Sequence, residues 1–207
     1  TDPRAIWRTV CDHFHLFRGT PTGLWLKVEL IELFGVTVKP SAETADLLYD
    51  QIQERLDDDA FRPRALFERF GIEVLTTTDA ATDDLTPHAE IQAAGLPVRP
   101  TFRPDAAMQV AHPDWRGTVQ RLGELTGVTI DDLDGFRAAI RARRAAFAER
   151  GATASDHGVL SSFIEPLEEA DARALFARAL AGTATDADAA AFHAHMLFEM
   201  AGMAVDD

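Results

Sequence analysis

Over the first seventy positions, apolar residues recur at spacings of three and four, which is the pattern of helices that bury one face. Proline follows a small polar residue at several points, a combination typical of helix starts, and glycine marks several ends. Residues 1–70 are therefore predicted to be a helical region. Its helices are expected from Asp2 to Gly19, from Thr20 to Gly35, over residues 41–56, and in a short stretch after Arg62.

After Gly71 the pattern changes to short apolar and β-branched runs that alternate with helical segments. Residues 72–78 are predicted to be a buried strand. Residues 96–102 contain two prolines, which by themselves favour an edge strand, but their position between two helices supports a strand. Residues 151–155 are a third candidate. Helices are expected over residues 86–95, 113–125, 132–150, 168–180 and 185–203.

This alternation of strands and helices predicts an α/β fold with a parallel sheet, because each crossover returns the chain to the same end of the sheet. A complete eight-stranded barrel takes about 250 residues. Three strands do not close such a barrel, so two interpretations remain: a small open sheet with added helices, or a segment of a larger barrel. The predicted domains are a helical region over residues 1–70 and a sheet-containing region over residues 71–207.

Charge and cysteine content narrow the classes of partner. The chain carries 20 Lys and Arg against 34 Asp and Glu, a net charge of −14, which repels nucleic-acid phosphates and anionic membrane surfaces. An anionic ligand would need a few arginines placed close to it. Cys11 is the one cysteine, and no signal pattern or long apolar run is present. We therefore expect a soluble cytoplasmic protein without nucleic-acid or membrane partners.

Polar residues that directly follow the predicted strands are the candidates for a site, since ligands of parallel α/β folds bind beyond the carboxyl ends of the strands. Asp79, Arg103 and the Asp156-His157 pair hold these positions. They would converge on one crevice if the three strands are neighbours. For Asp79, a solvated turn is an equally good interpretation.

Arg103 is the candidate for binding a carboxylate. Pro104 fixes the backbone beside it, and Asp105 is placed to orient the guanidinium for bidentate recognition. The alternative is an internal pair between Arg103 and Asp105 with no ligand.

His157 is the candidate for proton transfer, because histidine exchanges protons near neutral pH. Asp156 would set the tautomer of its imidazole, although adjacent residues on a strand point to opposite faces. A structural histidine is the alternative.

Two His-x-His patterns resemble metal-binding motifs, but both are expected to be unrelated to metal. His13 with His15, and His193 with His195, fall in segments of helical periodicity. Residues two apart on a helix point about 200° apart and cannot share one ion. The apolar residues around His193 indicate ordinary core packing.

Several strings in order along nearly the whole chain resemble bacterial uronate isomerase, a family of the amidohydrolase superfamily. The resemblance implies part of a (β/α)₈ barrel with an added helical region. It also implies an enzyme that interconverts D-glucuronate with D-fructuronate, and D-galacturonate with D-tagaturonate, by proton transfer between C2 and C1. The strings are residues 16–26 and 61–67, residues 74–79, Thr101-Phe102-Arg103-Pro104-Asp105 and Ala154-Ser155-Asp156-His157-Gly158.

By this resemblance Arg103 would hold the carboxylate of a hexuronate, while His157, Asp156 and Asp79 would line the catalytic cavity. The resemblance also implies a divalent metal, with zinc expected, whose His-x-His and aspartate ligands lie outside this chain. Assembly into a homo-oligomer is expected as well. Two alternatives stay open. The chain is a non-catalytic module that assembles with other chains, or it belongs to another amidohydrolase-like enzyme that acts on a sugar acid.

Overall fold

The computed structural model describes residues 2–159, 161 and 163–206. The chain forms two compact units, Thr1–Ile72 and Glu73–Asp207. Within the described part of the chain, no helix has the length and apolar character needed to cross a bilayer.

The regular elements of the first unit are all helical among its described residues. Its core is formed by Phe14, Leu30, Val36 and Leu48. Two predicted helices differ from the observed ones: the first ends at Asp12 and is followed by a 3₁₀ turn, and the second becomes a π-helical turn at Glu29. The elements are α1 (Pro3–Asp12), a 3₁₀ turn (Phe14–Phe17), α2 (Pro21–Val28), a π turn (Glu29–Leu33), α3 (Ala45–Leu56), a second 3₁₀ turn (Asp59–Phe61) and α4 (Pro63–Arg69).

The second unit mixes helices with short parallel strands, which agrees with the predicted α/β class. The helix predicted over residues 132–150 begins at Leu133, and the Asp132 carboxylate accepts the Gly135 N–H at its start. The elements are β1 (Leu75–Thr76), β2 (Asp79–Ala80), α5 (Thr86–Ala93), β3 (Val98–Arg99), β4 (Phe102–Arg103), α6 (Asp105–Met108), α7 (Trp115–Thr126), α8 (Leu133–Glu149), α9 (Glu169–Ala181) and α10 (Asp186–Asp206).

The four strands lie in two neighbouring parallel segments, and the predicted strand over residues 151–155 is reduced to a single bridge at Ser155 beside them. β1 pairs with β3 and β2 pairs with β4, with Asp79 opposite Phe102 and Ala80 opposite Arg103. Backbone hydrogen bonds join residues 75–81 to residues 97–103 throughout. Phe102 also forms a parallel bridge with Ser155. The spatial order is therefore 75–81, 97–103, 154–156, which brings the three strand ends to one edge.

The expected burial of the first strand is wrong for this chain. Leu75 is 45% exposed, and both residues of β1 are accessible. Among the described residues, β1 has a strand partner only on the β3 side. A β-branched run favours a strand, but its burial depends on what covers it.

The core of the second unit fixes which way β4 faces. Phe102 is 3% exposed, and its ring packs edge-on against Phe147 of α8, with centroids 5.1 Å apart. Burying an aromatic side chain of this size contributes about 1.5–3 kcal/mol. Phe136, Phe176 and Phe192 form a contiguous aromatic cluster on α8, α9 and α10. Phe102 therefore faces the helices, and Arg103, the next residue of β4, must face the opposite side of the sheet.

Candidate functional site

Arg103 and Asp156 lie on the same face of the sheet, opposite the helices. Arg103 follows the inward-packed Phe102, and side chains alternate along a strand. Ser155 pairs with Phe102, so Asp156 is in register with Arg103 and points to the same face. Two of the predicted site residues, from different strand ends, are therefore brought together.

The Arg103 guanidinium contacts two carboxylates. Its Nη2 lies 3.1 Å from Asp156 Oδ2, and its Nε lies 2.9 Å from Asp105 Oδ2. The Nε–H group does not point at an acceptor among the described residues, so the contact with Asp105 is an ion pair rather than a hydrogen bond. The structure thus contains the pair between Arg103 and Asp105, which was one of the two alternatives drawn from the sequence. The side chain remains 41% exposed, which leaves room for a ligand.

His157 directly follows Asp156 and is half-buried. Burial lowers its pKa, while the charges of Asp105 and Asp156 act in the opposite direction and those of Arg144 and His193 add to the lowering. Its Nδ1 is enclosed and has no hydrogen-bond partner among the described residues. The imidazole is therefore neutral near pH 7 and able to accept a proton.

Asp79 lies on the other face of its strand. It is opposite Phe102 in the register, whereas Arg103 is opposite Ala80. Its Oδ2 accepts a hydrogen bond from Thr77 Oγ1 at 2.7 Å and one from the Thr101 N–H at 3.3 Å. The structure does not bring Asp79 together with Arg103, and its predicted catalytic role stays a prediction.

His88 of α5 completes the polar network around Asp79, and no local sequence pattern pointed to it. Its Nε2 lies 2.7 Å from Thr77 Oγ1 and 3.5 Å from Asp79 Oδ2, and the side chain is buried. Because the Thr77 hydroxyl donates to Asp79, Nε2 of His88 is the donor to Thr77. This network fastens α5 to the end of β1.

The two His-x-His patterns lie in helices or directly after one. The His13 and His15 rings stack with centroids 6.3 Å apart, just after α1 has ended. His195 is buried in α10 and accepts the Leu167 N–H. Across residues 2–159, 161 and 163–206, no three or more His, Cys, Asp or Glu side chains gather in a way that would hold an ion.

A cavity in the first unit has a different character. It holds about 420 Å³ and combines an apolar floor with a basic rim formed by His15, Arg18, Lys27 and Lys39. No carboxylate is among its lining residues, although the whole chain is acidic. Its lining includes none of the strand-end residues, and the sequence pattern did not single it out.

Comparisons with known proteins agree on one family. The family model described as glucuronate isomerase matches residues 2–206. Uronate isomerases of Phenylobacterium zucineum and Rhizobium meliloti are 48% and 47% identical to the chain; each match covers 100% of this chain and 43% or 45% of the relative. The chain thus spans less than half the length of these relatives.

Solved structures give the same result. The crystal structure of glucuronate isomerase from Caulobacter crescentus matches with a TM-score of 0.92 at 41% identity, covering 100% of this chain and 44% of that one. Uronate isomerase from Thermotoga maritima matches with a TM-score of 0.88 at 30% identity, covering 99% and 46%. The chain therefore belongs to the glucuronate isomerase family.

Proposed function

We propose that this chain is a segment of a uronate isomerase and that its parallel strands are part of a (β/α)₈ barrel. The complete enzyme would interconvert D-glucuronate with D-fructuronate, and D-galacturonate with D-tagaturonate, by moving a proton between C2 and C1. Family membership supports the reaction. The parallel order of the segments 75–81, 97–103 and 154–156 supports the barrel.

The observation that carries the proposal is the contact between Arg103 and Asp156 at 3.1 Å. Arg103 ends β4, Asp156 follows the bridge residue Ser155, and both face away from the helices. In parallel barrels the active site lies at the carboxyl ends of the strands. A cation and a carboxylate from neighbouring strand ends are therefore placed where a sugar acid would bind.

Arg103 is proposed to bind the substrate carboxylate through directional hydrogen bonds rather than through net charge. One guanidinium faces two carboxylates here, so the local charge does not attract an anion. The guanidinium has five N–H donors in a planar fork, and Asp105 and Asp156 contact only Nε and Nη2. The N–H groups on the exposed part of the guanidinium would form two hydrogen bonds with the substrate carboxylate.

His157 is proposed to handle the proton, with Asp156 beside it. A general base must be unprotonated at the working pH, and burial keeps this imidazole neutral. Asp156 is held on the Arg103 side by the ion pair. For Asp79, the hydrogen bonds from Thr77 and Thr101 favour a role in holding the strand end rather than contact with substrate.

The divalent metal that the family resemblance implies does not fit the described residues, which gather no set of three ligating side chains. No step proposed here passes through a metal. Assembly into a homo-oligomer and location in the cytoplasm stay predictions; a single cysteine, Cys11, is compatible with a reducing compartment.

The test is turnover of D-glucuronate and D-galacturonate by the complete enzyme and its Arg103→Ala variant, with products identified by NMR. Loss of bidentate, charge-assisted hydrogen bonds should lower kcat/KM by about 100-fold or more. Arg121→Ala is the matched control, because Arg121 is half-exposed on α7 and pairs with Glu124 on its own helix. Activity of Arg103→Ala within about twofold of the parent would exclude the anchoring role.

A further inference from the structure

The geometry points to Asp105 as a positioning residue that ties two strand ends together. The carboxylate of Asp105 contacts Arg103 at the end of the segment 97–103. The same carboxylate accepts the backbone N–H of Gly158, which follows His157 after the segment 154–156. This inference rests on the proposed function and extends it, because it names what sets the distance between the carboxylate anchor and the proton-handling histidine.

The contacts of Asp105 define the tie. Oδ1 and Oδ2 each lie 3.0 Å from the Gly158 nitrogen, so both oxygens share its N–H. Oδ2 also lies 2.9 Å from Arg103 Nε. The carboxylate side chain is only 16% exposed. Both oxygens therefore make contacts within the protein.

The backbone under Asp105 is firmly anchored. Pro104 restricts the chain just before it, and Asp105 begins the short helix α6. Ala107 and Met108 of α6 are fully buried, and the Trp115 indole N–H donates to the Ala107 carbonyl at 2.7 Å. The carboxylate is thus presented from a fixed point.

Gly158 is the residue that permits this approach. A Cβ at this position would lie 3.2 Å from Asp105 Oδ2, tighter than most Cβ contacts, and 3.4 Å from Arg103 Nη2, at the lower limit of ordinary van der Waals contact. A side chain there would push the carboxylate or the guanidinium away. The Asp-His-Gly string therefore has a physical reason: the glycine lets the amide reach Asp105 directly after His157.

A carboxylate is required because both oxygens must accept. An asparagine has the same shape, but one of its two terminal atoms is an NH₂ donor. Since both terminal atoms of residue 105 face the same Gly158 N–H, the NH₂ group would oppose a donor in either orientation. The negative charge that faces Arg103 would also be lost, and in one orientation the NH₂ group would face the guanidinium. Asp105→Asn therefore breaks the tie while keeping the volume.

The first experiment measures amide exchange and the ¹H shift of Gly158 by NMR in this chain. Asp105→Asn should accelerate exchange of the Gly158 amide about tenfold and move its proton upfield, since a hydrogen bond to a charged acceptor is lost. Asp156→Asn is the control for this readout: it removes the other carboxylate from Arg103 but leaves the Gly158 contact. Unchanged Gly158 signals in Asp105→Asn would overturn the tie.

The second experiment measures kcat and KM of the complete enzyme. Asp105→Asn should raise KM for D-glucuronate about tenfold, with a smaller fall in kcat, because a displaced guanidinium weakens ground-state and transition-state binding alike. Asp114→Asn, an exposed aspartate whose side chain makes no capping bond, should leave both unchanged. A fall in kcat alone, or an unchanged KM, would overturn the positioning role.

Gly158→Ala keeps the charges of Asp105 and Arg103 and provides an alternative test if Asp105→Asn does not fold. The added methyl group should produce the same rise in KM and the same loss of amide protection nearby. An alanine variant with parental KM would overturn the inference.

If the complete enzyme turns over no uronate, the proposed function fails, while the NMR result still decides whether Asp105 joins the two strand ends.

Discussion

The backbone N–H of Leu167 donates a hydrogen bond to Nδ1 of His195 over 3.1 Å. Nδ1 is therefore unprotonated, and the second ring nitrogen, Nε2, lies 3.6 Å from Glu199 and 3.5 Å from Arg137. The imidazole is almost completely buried in α10. One neutral histidine thus fastens the segment that precedes α9 to α10.

This contact makes the stability of the second unit pH-dependent. Burial lowers the pKa of His195; Arg137 adds to the lowering, and Glu199 and Glu169 oppose it. An unfolded histidine takes up a proton below about pH 6.5, whereas the folded one resists it. The unfolded state then binds more protons, so the free energy of unfolding should fall as the pH drops below about 6.5. His157 contributes in the same direction.

Urea unfolding at about pH 7.5 and about pH 5.5 measures this effect. His195→Gln should show a smaller loss of stability between the two values than the parent chain. His15→Gln, which changes an exposed ring in the first unit, should show the parental loss. An equal pH dependence in parent and His195→Gln would contradict the assignment.

The helices of the second unit were predictable because their periodicity and caps are local. Residues 132–150 were predicted and Leu133–Glu149 is observed, with the Asp132 side chain as the cap. The burial of the first strand was not predictable, because it depends on what lies beside the strand rather than on the run itself. Whether the three segments are neighbours was left open by the sequence, although crossovers through helices favour neighbouring parallel strands.

The site was predictable only in part. The strand ends and the short spacing from Arg103 to Asp105 could be derived from the sequence. The face of Asp79 could not, because it depends on a register in which a shift of one residue reverses every side chain. The contact from Asp105 to Gly158 joins positions 53 apart in the sequence and has no local signal.

Phe176 tests how much the aromatic cluster contributes to stability. It is fully buried, and its ring contacts Trp115, Phe136 and Phe192. Phe176→Ala should lower the free energy of unfolding by about 3–5 kcal/mol, because it leaves a cavity between helices. Phe163→Ala is the control, since that ring is 62% exposed and should change stability by no more than about 0.5 kcal/mol. Similar losses in the two variants, measured by urea unfolding, would refute this account of the core.

Two helical glycines in the same unit should respond oppositely to alanine. A Cβ at Gly135 of α8 would lie 2.4 Å from the Thr129 carbonyl oxygen, a backbone atom that cannot move aside easily. Gly117 of α7 has nothing within 4 Å of that position. Gly117→Ala should stabilise the unit by about 0.5–1 kcal/mol through helix propensity. Gly135→Ala should destabilise it by about 1–3 kcal/mol through overpacking. Thermal unfolding of the two variants compares them directly, and a gain in both would mean that α8 can shift away from residue 129.

Arg143 of α8 tests how the segment after β2 is held. Its side chain is buried; Nε donates to the Ala81 carbonyl at 2.9 Å and Nη2 donates to the Asp83 carbonyl. Arg143→Met keeps the apolar stem but leaves these carbonyl groups without their donor, which should lower the free energy of unfolding by about 2 kcal/mol. Arg141→Met on the same helix removes only a surface pair with Asp206 at 3.3 Å and should cost no more than about 0.5 kcal/mol. Because Ala81 also donates its N–H to the Arg103 carbonyl, amide exchange at Ala81 should accelerate in Arg143→Met alone. Unaltered exchange at Ala81 would mean that strand pairing holds this segment without the arginine.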